Sequence, residues 1–207
     1  MDTPEGVVPL SRSERSRAGD VLGRAFYDNP QWVGLLPDDD QRRKRLPMMF
    51  VGASKMTAAA GGFPERTAGF EAIALWLPPG RDIGFLAMLR SSLTSARWML
   101  TPPMVNVRRM TRVLMQFDKK KKELMKEPHW YLMALGVDPD HQGEGHGSTL
   151  VRAGIEKADR DGKAVYVETE TEENLGFYQR LGFEVLEEMV ITEIGIPFSL
   201  LIRHPQV

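Results

Sequence analysis

The sequence predicts an α/β fold, and two observations support that prediction. Apolar segments of strand length alternate along the chain with segments whose apolar residues recur at helical spacing. In the last third, a strand at residues 130–137, a glycine-rich loop at 142–147, a helix from residue 150 and a strand at 164–167 follow one another. This order is typical of a βαβ unit, in which the two strands are parallel and the crossover is right-handed.

Length and hydropathy favour a single cytoplasmic domain. A chain of 207 residues has the size of one domain, or of one domain with a generous insertion. Residues 1–6 are acidic and lack the apolar core of a secretory signal. The apolar stretches fall short of the roughly 20 residues that cross a bilayer, so we expect no membrane as partner.

Composition limits the classes of protein to which the chain can belong. Hydrophobic residues make up 42% and charged residues 27%, which is typical of a folded globular chain rather than a disordered one. The 27 Lys and Arg residues nearly balance the 28 Asp and Glu residues, so nothing favours a nucleic acid as partner. Because the sequence contains no cysteine, disulfides, thiolate metal sites and a cysteine nucleophile are excluded.

The first 60 residues predict one strand and two helices. Residues 7–10 form a short apolar strand, after which Ser11 and Glu14 have the spacing of a capping box that opens a helix. An Asn-Pro pair ends this helix. A second helix is expected at 40–59, after a run of three aspartates, with a kink or a break at Pro47.

The middle and the end of the chain predict further elements on both sides of the βαβ unit. Glycines and a proline at 61–64 indicate a turn, and 67–77 is a strand that Pro-Pro-Gly ends. Residues 82–125 have helical periodicity, interrupted by Thr-Pro-Pro. The C-terminal elements are a short helix at 173–181 and strands at 183–194 and 198–202.

The glycine-rich loop is suited to hold an anion. Gly143, Gly145 and Gly147 alternate directly before a helix, so that the backbone can turn tightly and leave several N–H groups uncovered. The first turn of the helix adds its free N–H groups and the positive end of its dipole. A phosphate or diphosphate is the ligand that this arrangement favours.

Three nucleotide sites and one plain alternative fit such a loop. A P-loop needs a lysine where Gly147 stands, and a dinucleotide fingerprint needs a third glycine where Ser148 stands. Glu168 would suit the acidic ribose ligand of the dinucleotide site, but too little chain follows to complete that sheet. A coenzyme A diphosphate site is the third possibility, and a glycine-rich turn without a ligand is the alternative.

Two motifs resemble those of one enzyme family. The loop Gln142-Gly143-Glu144-Gly145-His146-Gly147 has the Q/R-x-x-G-x-G/A form of the GNAT superfamily of N-acetyltransferases, and it follows a strand as in that family. Residues 174–183, Asn-Leu-Gly-Phe-Tyr-Gln-Arg-Leu-Gly-Phe, are similar to the second acetyl-CoA motif of the family. Within the superfamily, residues 127–183 most resemble puromycin N-acetyltransferases.

The resemblance implies a specific version of the α/β fold. We expect a mixed, mostly antiparallel sheet flanked by helices, with a central parallel pair of strands splayed to admit acetyl-CoA. The whole chain, 1–207, would form one N-acetyltransferase domain, with the acetyl-CoA motifs at about 130–183. Residues 82–127 would be a helical insertion that covers the amine site or joins two copies of the chain in a homodimer.

The resemblance also implies a set of acetyl-CoA contacts. The loop amides would hold the diphosphate, and the backbone of the preceding strand would face the thioester and the pantetheine amides. The predicted contact residues are Leu135, Gly136, Val137, Gln142, Gly143, Glu144, Gly145, His146, Gly147, Ser148, Asn174 and Tyr178.

Acetyl transfer to an amine makes definite demands on side chains. An alkyl ammonium has a pKa near about 10, so at neutral pH it must lose a proton before it attacks a thioester. The departing thiolate benefits from a proton donor, and the developing oxyanion benefits from N–H groups. In a chain without cysteine, we expect direct attack in a ternary complex rather than an acetyl-cysteine intermediate.

Two residues are predicted to be catalytic. Tyr178 matches the acid tyrosine of the family; packing on the turn at 177–181 is its alternative role. Glu168, at the carboxyl end of the strand after the glycine-loop helix, is the candidate base, and a structural carboxylate is the alternative. Glu71 and Glu170 are the second and third candidates for the base. Any of these carboxylates needs a pKa raised by burial to act near pH 7.

Other polar residues near the loop have simpler interpretations. Asn174 either binds the pantetheine arm, as the resemblance implies, or caps the short helix. His141 and His146 lie near the loop, but isolated loop histidines are more often plain polar residues. Because no metal-ligand spacing is recognised in the sequence, we predict no metal.

The sequence therefore predicts an acetyl-CoA-dependent N-acetyltransferase that acts on a primary amine of a small molecule. One alternative is a protein acetyltransferase that acts on lysine or on an N-terminus. Another is an acyl-CoA-binding module without catalytic activity.

Overall fold

The computed structural model describes residues 6–83 and 107–206, and these form one seven-stranded sheet with helices on both faces. The strands are β1 Val7–Pro9, β2 Phe63–Thr67, β3 Ala72–Leu77, β4 Trp130–Val137, β5 Val165–Thr169, β6 Glu184–Ile191 and β7 Ile196–Arg203. The helices are α1 Arg15–Ala25, α2 Pro30–Leu35, α3 Asp39–Ala59, α4 Val107–Leu124, α5 His146–Arg160 and α6 Glu172–Gln179. The predicted α/β fold is confirmed.

The sheet is mixed and mostly antiparallel. Its strand order is β1-β2-β3-β4-β5-β7-β6, and β4 and β5 are the parallel pair within the described sheet. These two strands pair at only two positions, Trp130 with Val165 and Tyr131 with Tyr166. Beyond these positions they separate, which leaves a cleft in the middle of the sheet, as the resemblance implies.

An irregularity in β4 lies beside this cleft. Leu75 of β3 pairs with Ala134 and Trp76 pairs with Leu132, so Met133 is an extra residue on β4. Such a β-bulge bends its strand and increases the local twist. The bend occurs two residues after the last position at which β4 pairs with β5.

Each face of the sheet has its own apolar core. On one face α5 packs against the sheet, with Leu150, Trp76 and Val167 among the buried residues. On the other face α1, α3 and α4 supply the core, which includes Leu22 and Phe50. Since β3 is buried on both faces, its sequence is a continuous apolar run without alternation.

Helices α1 and α3 pack unusually close at a proline. A side chain at Gly23 of α1 would lie 2.7 Å from Pro47 Cγ, and one at Gly19 would lie 2.6 Å from the Pro47 carbonyl oxygen. Pro47 neither ends nor splits α3, which begins at the cap Asp38 and continues to Ala59. The predicted break is therefore wrong; two glycines on the neighbouring helix accommodate the proline ring.

Several predicted boundaries differ from the structure. Helix α1 begins four residues after Ser11, because only half of the capping box forms: Glu14 accepts from the Ser11 amide, while Ser11 Oγ lies 3.1 Å from Ser13 Oγ. The turn predicted at 61–64 contains the start of β2, and β3 begins at Ala72 rather than at residue 67.

One helix was not predicted, and one helical prediction can be compared with the structure only in part. The short helix α2 was not predicted; Asn29 caps it by accepting hydrogen bonds from the amides of Gln31 and Trp32. The helical prediction at 82–125 is confirmed over α4, and its residues 84–106 lie outside the described part of the chain. Among the described helices, none is both long and apolar enough to cross a bilayer.

Candidate active site

The glycine-rich loop follows β4 through a tightly held turn. Asp138, which is buried, accepts a hydrogen bond from the Asp140 amide at 3.2 Å and forms an ion pair with Arg24 of α1. A 3-10 turn at Pro139–His141 then leads into the loop. The entrance of the loop is thus fixed to the N-terminal helix.

The loop itself leaves open space beside its backbone. Gly143 and Gly145 have φ angles of 83° and 89°, and a Cβ atom at either position would meet nothing within 4 Å, so the space around them is open. Gly145 is also the N-cap of α5, whose first amides have no partner within the helix. Gly147 differs, because its Cβ would lie 3.2 Å from Val137 Cγ2.

The predicted contacts on β4 lie along the cleft. Leu135, Gly136 and Val137 pair with β3 on one side and lie beyond the two positions that pair with β5. Their backbone groups on the cleft side have no partner on β5, so a ligand that enters between the strands can reach them. Gly136 allows α1 to approach, since a Cβ there would lie 2.7 Å from Leu22 Cδ2.

Two further predicted cofactor residues, Gln142 and Asn174, are exposed. Gln142 is exposed, and its amide donates to the Val137 carbonyl at 3.4 Å. Asn174 is exposed in the first turn of α6, where Thr171 is the cap and accepts a hydrogen bond from the Asn174 amide at 3.2 Å. The alternative role of Asn174 as a helix cap is thus wrong, and its side chain is accessible.

Glu168 lies on β5 with its carboxylate held by a tyrosine from β4. The Tyr131 hydroxyl donates a hydrogen bond to Glu168 Oε2 at 2.7 Å. Burial raises the pKa of Glu168 to about 7, against the opposing effects of the Tyr131 hydrogen bond and the Lys121 charge. Glu168 Oε1 is buried and has no hydrogen-bond partner among the described residues.

Tyr131 and Tyr166 complete this group and were not predicted. They are register partners on β4 and β5, and their ring centroids lie 5.7 Å apart. Burial and the nearby Glu168 charge raise the pKa of Tyr166. Side chains two residues apart in a strand lie on the same face, so the Tyr-Val-Glu sequence of β5 could have predicted that Tyr166 lies beside Glu168. The place of Tyr131 could not be predicted in this way, because it depends on the pairing of β4 with β5.

Of the other two base candidates, Glu170 lies in a comparable environment. Burial raises the pKa of Glu170, and the Asn29 amide donates a hydrogen bond to it. Glu71 differs, because it precedes β3 and accepts from the Gly69 amide at 3.1 Å. A hydrogen bond from Thr67 lowers the pKa of Glu71, whereas a base at neutral pH needs a raised one.

Tyr178 of α6 is a core residue by packing and lies near the carboxylates. It is 6% exposed and its ring packs against Phe177 and Phe183, with centroids 5.0 and 5.4 Å apart. Burial raises the pKa of Tyr178, and the charges of Glu170 and Glu168 raise it further. A phenol in this setting stays protonated at neutral pH, as a proton donor must.

The two loop histidines converge on one carboxylate. His141 and His146 each place a ring nitrogen close to Glu144 Oε2, at 3.2 and 3.1 Å. Hydrogen bonds from His146 and His141 lower the pKa of Glu144. The sequence predicts these histidines to be separate polar residues, but the fold brings them together.

As a whole, the site combines an open glycine-rich loop, a strand edge that β5 leaves unpaired and a carboxylate whose pKa is raised to about 7. All three lie around the β4–β5 cleft. Such an arrangement can hold a phosphate-bearing ligand at the loop and accept a proton at Glu168.

Comparison with known proteins finds acetyltransferases. The model of the acetyltransferase (GNAT) family matches residues 109–183. An uncharacterised N-acetyltransferase of Schizosaccharomyces pombe is 25% identical over 204 residues, which cover 95% of this chain and 82% of that protein. A peptidyl-lysine N-acetyltransferase of Salmonella typhimurium is 32% identical over 71 residues, or 34% of this chain and 48% of that protein.

Solved structures share the fold. A Corynebacterium glutamicum protein, described as histone acetyltransferase HPA2 and related acetyltransferase, has a TM-score of 0.68 at 23% identity, covering 97% of this chain and 96% of that one. The polyamine N-acetyltransferase of Drosophila melanogaster has a TM-score of 0.62 at 15% identity, covering 96% and 98%. The family match at 109–183 and the sequence relatives support an N-acetyltransferase of the GNAT type, whose members use acetyl-CoA as co-substrate, and the solved structures add the shared fold.

Proposed function

We propose that this chain transfers the acetyl group of acetyl-CoA to a primary amine of a small molecule, by direct attack in a ternary complex. The observation that carries the proposal is Glu168, a carboxylate with a pKa of about 7 beside the β4–β5 cleft. Acetyl-CoA supplies the activated acetyl group as a thioester. The residues of the chain bind it, orient the amine and move the protons.

Binding of acetyl-CoA would use the loop and the strand edge. The amides around Gly143 and Gly145 would hold the diphosphate, helped by the positive end of the α5 dipole. The free backbone groups of residues 135–137 would hold the pantetheine amides and the thioester carbonyl. Asn174, which is exposed, would add a side-chain contact.

Glu168 would remove the proton from the amine. With a pKa of about 7 it is a much better proton acceptor than an ordinary carboxylate, and about half of it is ionised at neutral pH. The hydrogen bond from Tyr131 fixes the position of Oε2. Glu170, whose pKa burial also raises, would be the alternative base.

Tyr178 would protonate the departing sulfur. Its phenol remains protonated at neutral pH because burial raises its pKa. The absence of cysteine from the sequence leaves no thiol to carry the acetyl group, which supports direct attack.

A second candidate function is acetylation of a protein lysine. It is favoured by the 71-residue similarity to a peptidyl-lysine N-acetyltransferase. The half-buried Glu168 favours the small molecule instead, because a compact amine reaches an enclosed carboxylate more readily than a peptide backbone does.

The test is a panel of acceptors monitored for thiol release from acetyl-CoA. The panel contains puromycin, agmatine, arylalkylamines and lysine peptides, so that it also tests the resemblance to puromycin N-acetyltransferases. We expect turnover with a small amine and a loss of about 10²-fold or more in Glu168→Gln. Glu156→Gln, an exposed glutamate on α5, is the matched control and should keep full activity.

Two outcomes would contradict the proposal. Turnover with lysine peptides alone would favour the protein acetyltransferase. Tight binding of acetyl-CoA without turnover of any acceptor would favour the non-catalytic acyl-CoA-binding module.

A further inference from the structure

The structure groups three potential metal ligands on the glycine-rich loop. His141, Glu144 and His146 each offer one ligand atom, and these atoms lie within 4.8 Å of one another. The geometry points to a binding site for a divalent transition-metal ion, and we propose Zn²⁺ as the ion that its chemistry favours. The site lies outside the candidate catalytic residues Glu168 and Tyr178, but it shares Glu144 and His146 with the predicted acetyl-CoA contacts, so it must be tested without acetyl-CoA.

The contacts within the group are those of a ligand set around a common point. His141 Nδ1 lies 3.2 Å from Glu144 Oε2, and His146 Nε2 lies 3.1 Å from the same oxygen. The imidazole planes are at 89° with centroids 6.0 Å apart, so the rings meet edge to face rather than stack. Two ring nitrogens are therefore directed towards one carboxylate oxygen.

The two separations between histidine nitrogen and carboxylate oxygen match tetrahedral coordination, and the two histidine nitrogens lie within 4.8 Å of each other. Zn²⁺ bonds to imidazole nitrogen and carboxylate oxygen are about 2.0–2.2 Å long, which places neighbouring ligand atoms about 3.3 Å apart. A small adjustment of the side chains would allow an ion to enter between the three atoms. Without an ion, the ring nitrogen of each histidine that faces Glu144 donates a hydrogen bond to the carboxylate; with an ion, the other tautomer leaves that nitrogen free as a ligand.

The backbone explains why residues at this spacing converge. Gly143 and Gly145, both with positive φ, reverse the chain on either side of Glu144. His141 ends the 3-10 turn and His146 begins α5, so two regular elements hold the two histidines. A site supported at both ends in this way is more precise than one on a free loop.

Exposure and ligand type decide which ion fits. The side chains are 46%, 55% and 27% exposed for His141, Glu144 and His146, so an ion can enter from solvent and keep an open position for water. Two imidazoles and one carboxylate suit Zn²⁺ and its transition-metal neighbours. Mg²⁺ and Ca²⁺ prefer oxygen ligands alone.

The test is a calorimetric titration of the full chain, stripped with a chelator and without acetyl-CoA, with ZnCl₂. We expect one ion per chain and a loss of more than about tenfold in affinity in each of His141→Ala, Glu144→Gln and His146→Ala. His204→Ala is the matched control, because His204 also pairs with a glutamate, Glu184, but does not belong to the group. It should bind Zn²⁺ like the unmodified chain.

Absorption spectra with Co²⁺ in place of Zn²⁺ provide a second readout. Intense visible bands that disappear in His146→Ala would support a tetrahedral site at the loop. An affinity for Zn²⁺ that none of the three substitutions changes, or no binding at all, would overturn the proposal. Circular dichroism verifies that each variant is folded. Because neither measurement uses acetyl-CoA or an amine, a negative result here would leave the proposed acetyl transfer untouched.

Discussion

Tyr131 donates a 2.7 Å hydrogen bond to Glu168 across the cleft between β4 and β5, from the last position at which these strands pair. The candidate base is thus anchored to the neighbouring strand at the closed end of the opening. This contact also tunes the base, because a donor to the ionised carboxylate lowers the pKa that burial raises.

The first prediction concerns the pH dependence of turnover. Glu168 must be ionised to accept a proton, and its pKa is about 7, so kcat/KM should rise as the pH increases through about 7. Initial rates of thiol release across this range test the prediction. In Glu168→Gln the inflection should be absent; an inflection that persists in this variant would assign it to another group.

Tyr131→Phe should move that inflection to higher pH. The substitution removes the hydrogen bond that favours the ionised carboxylate and keeps the ring that packs beside Tyr166. The pH profile of kcat/KM is the measurement, and the KM for acetyl-CoA should not change. An unshifted inflection would show that the hydroxyl does not tune the base.

Glu168→Gln should stabilise the folded chain at alkaline pH. The folded-state pKa of about 7 lies above the ordinary value of 4.5, so the folded chain retains a proton that the unfolded chain has lost. Stability of the unmodified chain therefore falls as the pH rises from about 4.5 to about 7. Thermal unfolding should show a higher Tm for the variant at pH 8 and little difference at pH 4; Glu156→Gln should show no such pH-dependent gain.

Gly145→Ala should weaken acetyl-CoA binding. Alanine at a positive φ of 89° is strained by roughly 1–2 kcal/mol, and its methyl group would project into the open space at the loop. Gly162→Ala is the matched control, because Gly162 also has a positive φ with open space around it but follows the far end of α5. Calorimetry should show weaker acetyl-CoA binding for Gly145→Ala alone. Equal affinities would argue against the loop as the diphosphate site.

Tyr178→Phe should lower turnover by about 10- to 10⁴-fold with little change in acetyl-CoA affinity. The ring would keep its packing against Phe177 and Phe183, so the folded structure should persist. Steady-state kinetics and calorimetry separate the two effects. Unchanged turnover would leave Tyr178 as a packing residue.

A strand could be predicted where its own residues form a continuous apolar run. β4 was predicted to the residue, since a continuous apolar run ends there at Asp138-Pro139. β2 was missed because Pro64 and the preceding glycines indicate a turn; β2 pairs on both sides through residues that the sequence does not mark. Boundaries set by pairing between distant segments cannot be derived from a local pattern.

The same limit applies to the site. The glycine-rich loop was found because all its residues are adjacent in the chain. Tyr131 and Glu168 are 37 residues apart, and only the parallel pairing of β4 with β5 brings them together. Glu71 and Glu170 differ because burial raises the pKa of Glu170, whereas hydrogen bonds, first that from Thr67, lower the pKa of Glu71. Both environments depend on packing between distant segments.

The ion pair between Arg24 and Asp138 has a consequence for protein engineering. The N-terminal helix braces the turn that leads into the glycine-rich loop, and Gly136 lets that helix rest directly on β4. The segment that comprises β4, the loop and α5 therefore depends on contacts from α1. A chimaera that transfers this segment to another protein would need α1 as well. The recipient protein should have an arginine at the position that corresponds to Arg24.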